Sequence, residues 1–243
     1  MNRIILLVLL SIAQVFNPGV DASHDLEAAL KAELGDKLDV VQVEMEVPTG
    51  AFLEHNRINE VEVAFDGLYI KPMMLRRAQI KIEGVQLDDS EPAKTGIERV
   101  KSVGTISYEL VVQADDLARA LAEKSKTIKN PRITIDDGIA TLSGSLKFGF
   151  IKTPFEVSGR PTFEKHSQIV YRVTEVKFVG IPLPGSLKQL IEDDINPIFD
   201  LDEFYEKKKE DLAQTEKMLH RPLKFVIKSL VAEDNRLVLS GTA

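Results

Sequence analysis

The chain contains no cysteine and no tryptophan in 243 residues. Without cysteine there is no disulfide framework, no thiol nucleophile and no thiolate-held metal. A thioether-linked lipid anchor is excluded for the same reason. Stability must come from packing and backbone hydrogen bonds. Asn-x-Ser/Thr is also missing, so no N-linked glycan assists. Basic residues are in deficit: 31 Lys and Arg stand against 38 Asp and Glu, a net charge of −7. Nucleic-acid binding needs a basic face against phosphate, so no nucleic-acid partner is expected. Histidines are few and scattered (His24, His55, His166, His220), and each reads as a surface residue. Walker loop, Gly-x-Gly-x-x-Gly, His-Glu-x-x-His and Gly-x-Ser-x-Gly are all absent. The acidic clusters Asp136-Asp137, Glu192-Asp193-Asp194 and Asp200-x-Asp202-Glu203 lack the alternating ligands and glycine of a calcium loop. The first reads as a hairpin turn, the second as the wet side of a helix. No enzyme activity, metal or cofactor is expected.

Long apolar runs are missing everywhere except the N-terminus. Arg3 precedes Ile4–Phe16, where Ser11 and Gln14 are the polar residues, and Val20-Asp21-Ala22 supplies a small-residue cleavage site. The pattern predicts a secretory signal peptide over residues 1–22, cut near Ala22. The run falls short of the ~20 residues that span a bilayer. Arg3 and Asp21 cancel, so the expected mature chain, 23–243, keeps the net charge of −7. It is long enough to bury a substantial core. No linker divides it, so we expect one elongated unit, exported to the periplasm or another extracytoplasmic space.

Periodicity then sorts the elements. Leu26, Ala29, Leu30 and Leu34 predict a helix ending at Gly35. Val41-x-Val43-x-Met45, Val61-x-Val63-x-Phe65, Ala78-x-Ile80-x-Ile82 and Ile106-x-Tyr108-x-Leu110-x-Val112 alternate with period two, which marks strands with one buried face. A helix over about 115–126 follows, with Leu117, Ala120 and Leu121 as its stripe. Further strands are predicted at 133–135, 139–142, 146–150, 155–157, 169–173 and 176–178. Ser186-x-x-Gln189 is a capping box for a helix carrying Leu187, Leu190, Ile191 and Ile195. Residues 204–222 are a charged segment of helical composition. Strands at 225–227 and 237–239 close the chain across Glu233-Asp234-Asn235. The order predicts α+β with a large antiparallel sheet, and both strand blocks begin beside a helix, a loose sign of duplication.

Apolar residues also collect where turns are expected. Met73, Met74 and Leu75 follow Lys71-Pro72; Phe148, Phe150 and Phe155 crowd a second connection; Ile181 and Leu183 sit in Val179-Gly-Ile-Pro-Leu-Pro184. These loops either plug the ends of one core or rim a mouth that admits something apolar. Arg76 and Arg77, beside the first loop, are either solvated or suited to an anionic head group.

Several ordered stretches resemble the LmeA-like phospholipid-binding family of exported bacterial proteins. They are Ile58–Leu68, Arg77–Leu87, Ala114–Leu121, Ile133–Gly144, Phe155–Gly159, Val176–Pro184 and Ile195–Leu201. Each is unspecific alone; their order and spacing carry the likeness over about residues 25–243. The resemblance implies a curved antiparallel sheet wrapped around a long helix, like the tubular lipid-binding fold of bactericidal/permeability-increasing-like proteins. It also implies phospholipid binding in the cell envelope without catalytic residues. The charged segment at 205–221 departs from the family pattern.

On this reading Val61, Val63, Phe65, Ile80, Ile82, Phe148, Phe150, Phe155, Leu190, Ile191 and Ile195 would line an apolar groove or tunnel. Met73, Met74, Leu75, Ile181 and Leu183 would form its mouth or touch the membrane transiently, and Arg76 and Arg77 would meet the head group. The expected function is lipid carriage or presentation. The alternative is a non-catalytic scaffold that binds an envelope protein through a sheet edge or the charged segment.

Overall fold

The alternating segments become twelve strands among the described residues, and each pairing between them is antiparallel. The computed structural model describes residues 8, 12, 22–46, 57–70, 73–88, 100–148, 151–178, 186–203, 216 and 224–243. The chain runs α1 (Ser23–Leu34), β1 (Val40–Glu46), β2 (Arg57–Ile70), β3 (Met73–Leu87), β4 (Val100–Ser102), β5 (Ile106–Gln113) and α2 (Ala114–Lys124). It continues through β6 (Ile128–Asp136), β7 (Ile139–Phe148), β8 (Ile151–Glu164), β9 (Gln168–Phe178) and α3 (Ser186–Ile195). It ends with β10 (Phe199–Asp200), β11 (Val226–Glu233) and β12 (Arg236–Thr242).

The strands divide between two sheets. One has the order β1-β2-β3-β5-β12-β11 with β4 on β3; the other is β10-β9-β8-β7-β6. The chain thus repeats one plan around a shared α2: a helix, a meander of four main strands, and a helix. The long hairpins match as well, with Ile70 opposite Met73 and Phe148 opposite Ile151. Short strands seen separately by periodicity (139–142 with 146–150, and 155–157 with its flanks) are parts of the longer β7 and β8.

Strands of 14 and 15 residues cannot keep one face against a compact core without bending. In β2 the buried positions change parity between Ile58 and Val61 and between Phe65 and Leu68. In β3 the change falls between Leu75 and Ala78 and between Ile82 and Val85. Gly67 (φ 68°) and Gly84 (φ 66°) sit at two of these changes, in a conformation that suits a residue without Cβ. A Cβ on Gly67 would overlap the Asp39 carboxylate. The kinks turn apolar side chains inward on both sides of the bend and curl the sheet toward a half-barrel.

The β11–β12 hairpin belongs to the first sheet but staples the second. Asn235 donates its N–H to Ile135 O at 2.9 Å, accepts from Ile135 N at 2.9 Å through Oδ1, and accepts from Ala114 N at 2.8 Å. Gly138 N donates to Ala232 O at 2.9 Å, and Ile227 N to His166 O at 2.7 Å. One apolar cluster runs through both sheets.

α2 ends two residues earlier than its predicted 126. Ser125 leaves the helix with ψ 132°, and its Oγ accepts from Thr127 N and Ile128 N, turning the chain into β6. The longest described helix is α1, with 12 residues. Apart from Glu216, which is helical, residues 204–223 lie outside the described residues. Val8 and Ile12 are helical and fully buried in the core cluster; the rest of 1–21 is likewise outside. Among the described residues no helix is long and apolar enough to cross a membrane.

Candidate functional site

α2 lies between the sheets because its sequence gives it two unlike faces. Leu117, Ala120 and Leu121 recur at helical spacing and are buried. Asp116 lies beside that stripe and is buried too, with its side chain 0% exposed. Its carboxylate accepts from Arg76 Nε at 2.9 Å and from Arg119 Nη2. A buried carboxylate is tolerable only when paired and hydrogen-bonded. This pair therefore fixes the N-terminus of α2 on β3.

The stripe of α2 roofs a cavity of about 140 Å³. Its walls come from Ile133 and Ile135 of β6, Ala140 and Leu142 of β7, Pro161 of β8 and Tyr171 of β9. Leu237 of β12 and Met73 of β3 bring in the other sheet, and Ile195, Ile198 and Phe199 close the side after α3. A second cavity of about 60 Å³ adjoins it, lined by Leu75, Leu110, Val112, Ile169, Leu201 and Leu239. Met73, Leu117, Ile198, Phe199 and Leu237 line both, so the two cavities lie side by side along the interface of the sheets. Ala120 and Ala140 leave room where larger residues would fill it.

The lining is apolar apart from two side chains. Tyr171 spends its hydroxyl on the backbone, donating to Ala140 O at 2.7 Å and Val157 O at 3.0 Å. Burial pushes its phenol above the ordinary value. Lys124 stands at the rim, donating to Pro197 O at 2.7 Å and Ile195 O at 3.4 Å. Titratable groups do not converge inside. Among the described residues no group of three or more His, Asp or Glu could hold a metal. Such a site offers an apolar chain dispersion contact and escape from water.

The residues singled out by sequence distribute unevenly over this geometry. Met73 lines both cavities, Leu75 the smaller and Ile195 the larger. Met74 is half-buried, opposite Tyr69. Val61, Val63, Phe65, Ile80, Ile82 and Ile191 are 0% exposed in the packed core, and Phe155 is buried; none lines either cavity. Arg76 is engaged by Asp116, and Arg77 is exposed on β3. Phe150, Ile181 and Leu183 lie outside the described residues, as do the side chains of Phe148 and Leu190.

Sequence reasoning did not single out Ala140, Pro161, Ile198, Phe199, Leu237 or Lys124 as site residues. An alanine in a strand does not announce the space beside it, and Leu237 reaches the site only because β12 pairs with β5, more than 120 positions away. The α2 stripe was the signal that could have located the roof.

No curated protein and no solved structure matches the chain. The family model described as LmeA-like phospholipid-binding matches residues 21–242, and the chain belongs to that family.

Proposed function

We propose that this protein binds phospholipid by taking acyl chain into the hollow between its two sheets, with the head group left at the rim. The observation that carries the reading is the apolar cavity under α2, with Lys124 as its charged lining residue. Its 140 Å³ is close to the roughly 150 Å³ apolar cavity that stays dry and takes up benzene. That volume suits the end of one tail rather than two whole chains. Burying about six methylenes contributes roughly 5 kcal/mol at ~0.8 kcal/mol each. With the N-terminal segment acting as a signal peptide, the protein works outside the cytoplasm and touches the membrane transiently to load. Its role there is carriage or presentation of lipid, without catalysis. A scaffold reading calls for a packed centre, and the hollow counts against it.

Filling the cavity tests this directly. Ala120→Leu and Ala140→Leu put bulk where the tail would lie. Uptake of phospholipid from vesicles should fall at least tenfold in the double variant, with the circular dichroism spectrum unchanged. Unaltered uptake by a folded double variant would remove the cavity from the account.

A further inference from the structure

α2 is held very differently at its two ends. Its N-terminus is fixed by the buried Asp116 between Arg76 and Arg119 and by Ala114 N donating to Asn235 O. Its C-terminus is fastened by the exposed Lys124 and the buried Ser125. Lys124 Nζ reaches the carbonyls of Ile195 and Pro197, and Ser125 Oγ donates to Asp194 Oδ2 at 2.5 Å. These contacts cross the seam between α2 and the end of α3. The far side of that seam is anchored elsewhere. Asn196 brackets Tyr171, accepting from its N–H at 2.6 Å and donating to its carbonyl at 2.9 Å, while Glu192 accepts from Val173 N at 2.8 Å. Lys124 and Ser125 are thus the side-chain links between the end of α2 and the end of α3.

The same seam carries the exposed residue of the larger cavity's lining. Of the fifteen residues lining the larger cavity, Lys124 is the one classed as exposed; the others are buried or half-buried. Long cationic side chains commonly lay their methylene stem along apolar surface and keep the charged head in water. An ammonium has three donors and a full charge. Backbone carbonyls satisfy it less well than a phosphate oxygen would.

We propose that α2 is a lid, hinged at Asp116 and latched at Lys124 and Ser125. A lipid tail enters beneath Leu117 and Leu121 when the latch opens, and Lys124 then exchanges its carbonyl partners for the phosphate of the lipid head group. The inference rests on the lipid-binding reading above and assigns that reading an entrance and a head-group residue.

The absence of native cysteine makes the latch testable. Ser125→Cys with Asp194→Cys supplies the chain's one thiol pair, which a short bifunctional thiol reagent with a cleavable disulfide can bridge. The readout is uptake of pyrene-labelled phosphatidylglycerol from phosphatidylcholine vesicles. Bridged protein should load at least tenfold more slowly than the same protein after reduction. Equal rates for bridged and reduced forms overturn the lid. If the parent and reduced forms both fail to load, lipid binding itself is wrong and the lid falls with it.

Lys124→Gln tests the head-group role. Retention of the labelled phosphatidylglycerol should drop about tenfold more than retention of a pyrene-labelled diacylglycerol, which has no phosphate. Equal losses for both probes overturn the phosphate assignment. Inorganic phosphate in large excess should not displace the lipid. Displacement by it would make Lys124 a site for a free anion and overturn the assignment to a lipid head group.

Discussion

Tyr108 and Tyr171 are both buried on apolar sheet faces, at 3% and 4% exposure, yet their hydroxyls fare differently. The Tyr171 hydroxyl has two backbone acceptors; that of Tyr108 has no partner among the described residues. Leaving a buried donor unpaired costs about 1–3 kcal/mol. Tyr108→Phe should therefore stabilise the protein by about 1 kcal/mol, and Tyr171→Phe should cost about 1–2 kcal/mol. Urea melts of the two variants decide the matter, and equal effects would contradict it. Burial raises both phenols above the ordinary 10.0. Below about pH 10 both states keep the proton and stability is intact. Above it the unfolded chain releases protons that the folded chain retains, so stability falls with rising pH. The slope should reach at most about 1.4 kcal/mol per pH unit for each tyrosine. Melts between about pH 9 and pH 11 should show that loss, and the double Phe variant should show much less of it.

At the scale of elements, the C-terminal hairpin is the joint between the sheets. Asn235 sits at φ 57° and makes three hydrogen bonds to β6 and the start of α2. Asn235→Gly keeps the conformation and loses the side-chain acceptor, an expected cost of about 1 kcal/mol. Asn235→Ala adds the strain of a left-handed residue, for a total near 2 kcal/mol. A Gly variant as stable as the parent would show that the side-chain contact contributes nothing. The turn itself was legible in Glu233-Asp234-Asn235, because small polar residues tolerate positive φ. Its partner was not, since nothing local to Asn235 names Ile135, a hundred positions upstream. The strands and the stripe of α2 were legible for the converse reason: periodicity is a local record of which face is buried. The kinks at Gly67 and Gly84 were not, because a glycine in an alternating run does not announce its φ.

Across the whole molecule, alternation identified the apolar faces but not what they pack against. Val61, Val63, Phe65, Ile80 and Ile82 look the same in sequence as Ile133, Ile135 and Leu142. The first group ends in packed core and the second beside a hollow. That difference arises from the division into two sheets and from Ala120 and Ala140, which are informative only once they face the space they leave. Of the residues singled out in the sequence, Met73 and Leu75 of β3 and Ile195 of α3 are the ones that line the hollow. The family match over residues 21–242 and the apolar hollow are independent lines that meet on lipid. The most direct test is native mass spectrometry of residues 23–243 isolated after export, followed by solvent extraction of whatever is bound. The account expects a stoichiometric mass excess that resolves into phospholipid and is lost in the Ala120→Leu, Ala140→Leu variant. A bare protein mass, with no gain after incubation with phospholipid vesicles, would contradict it.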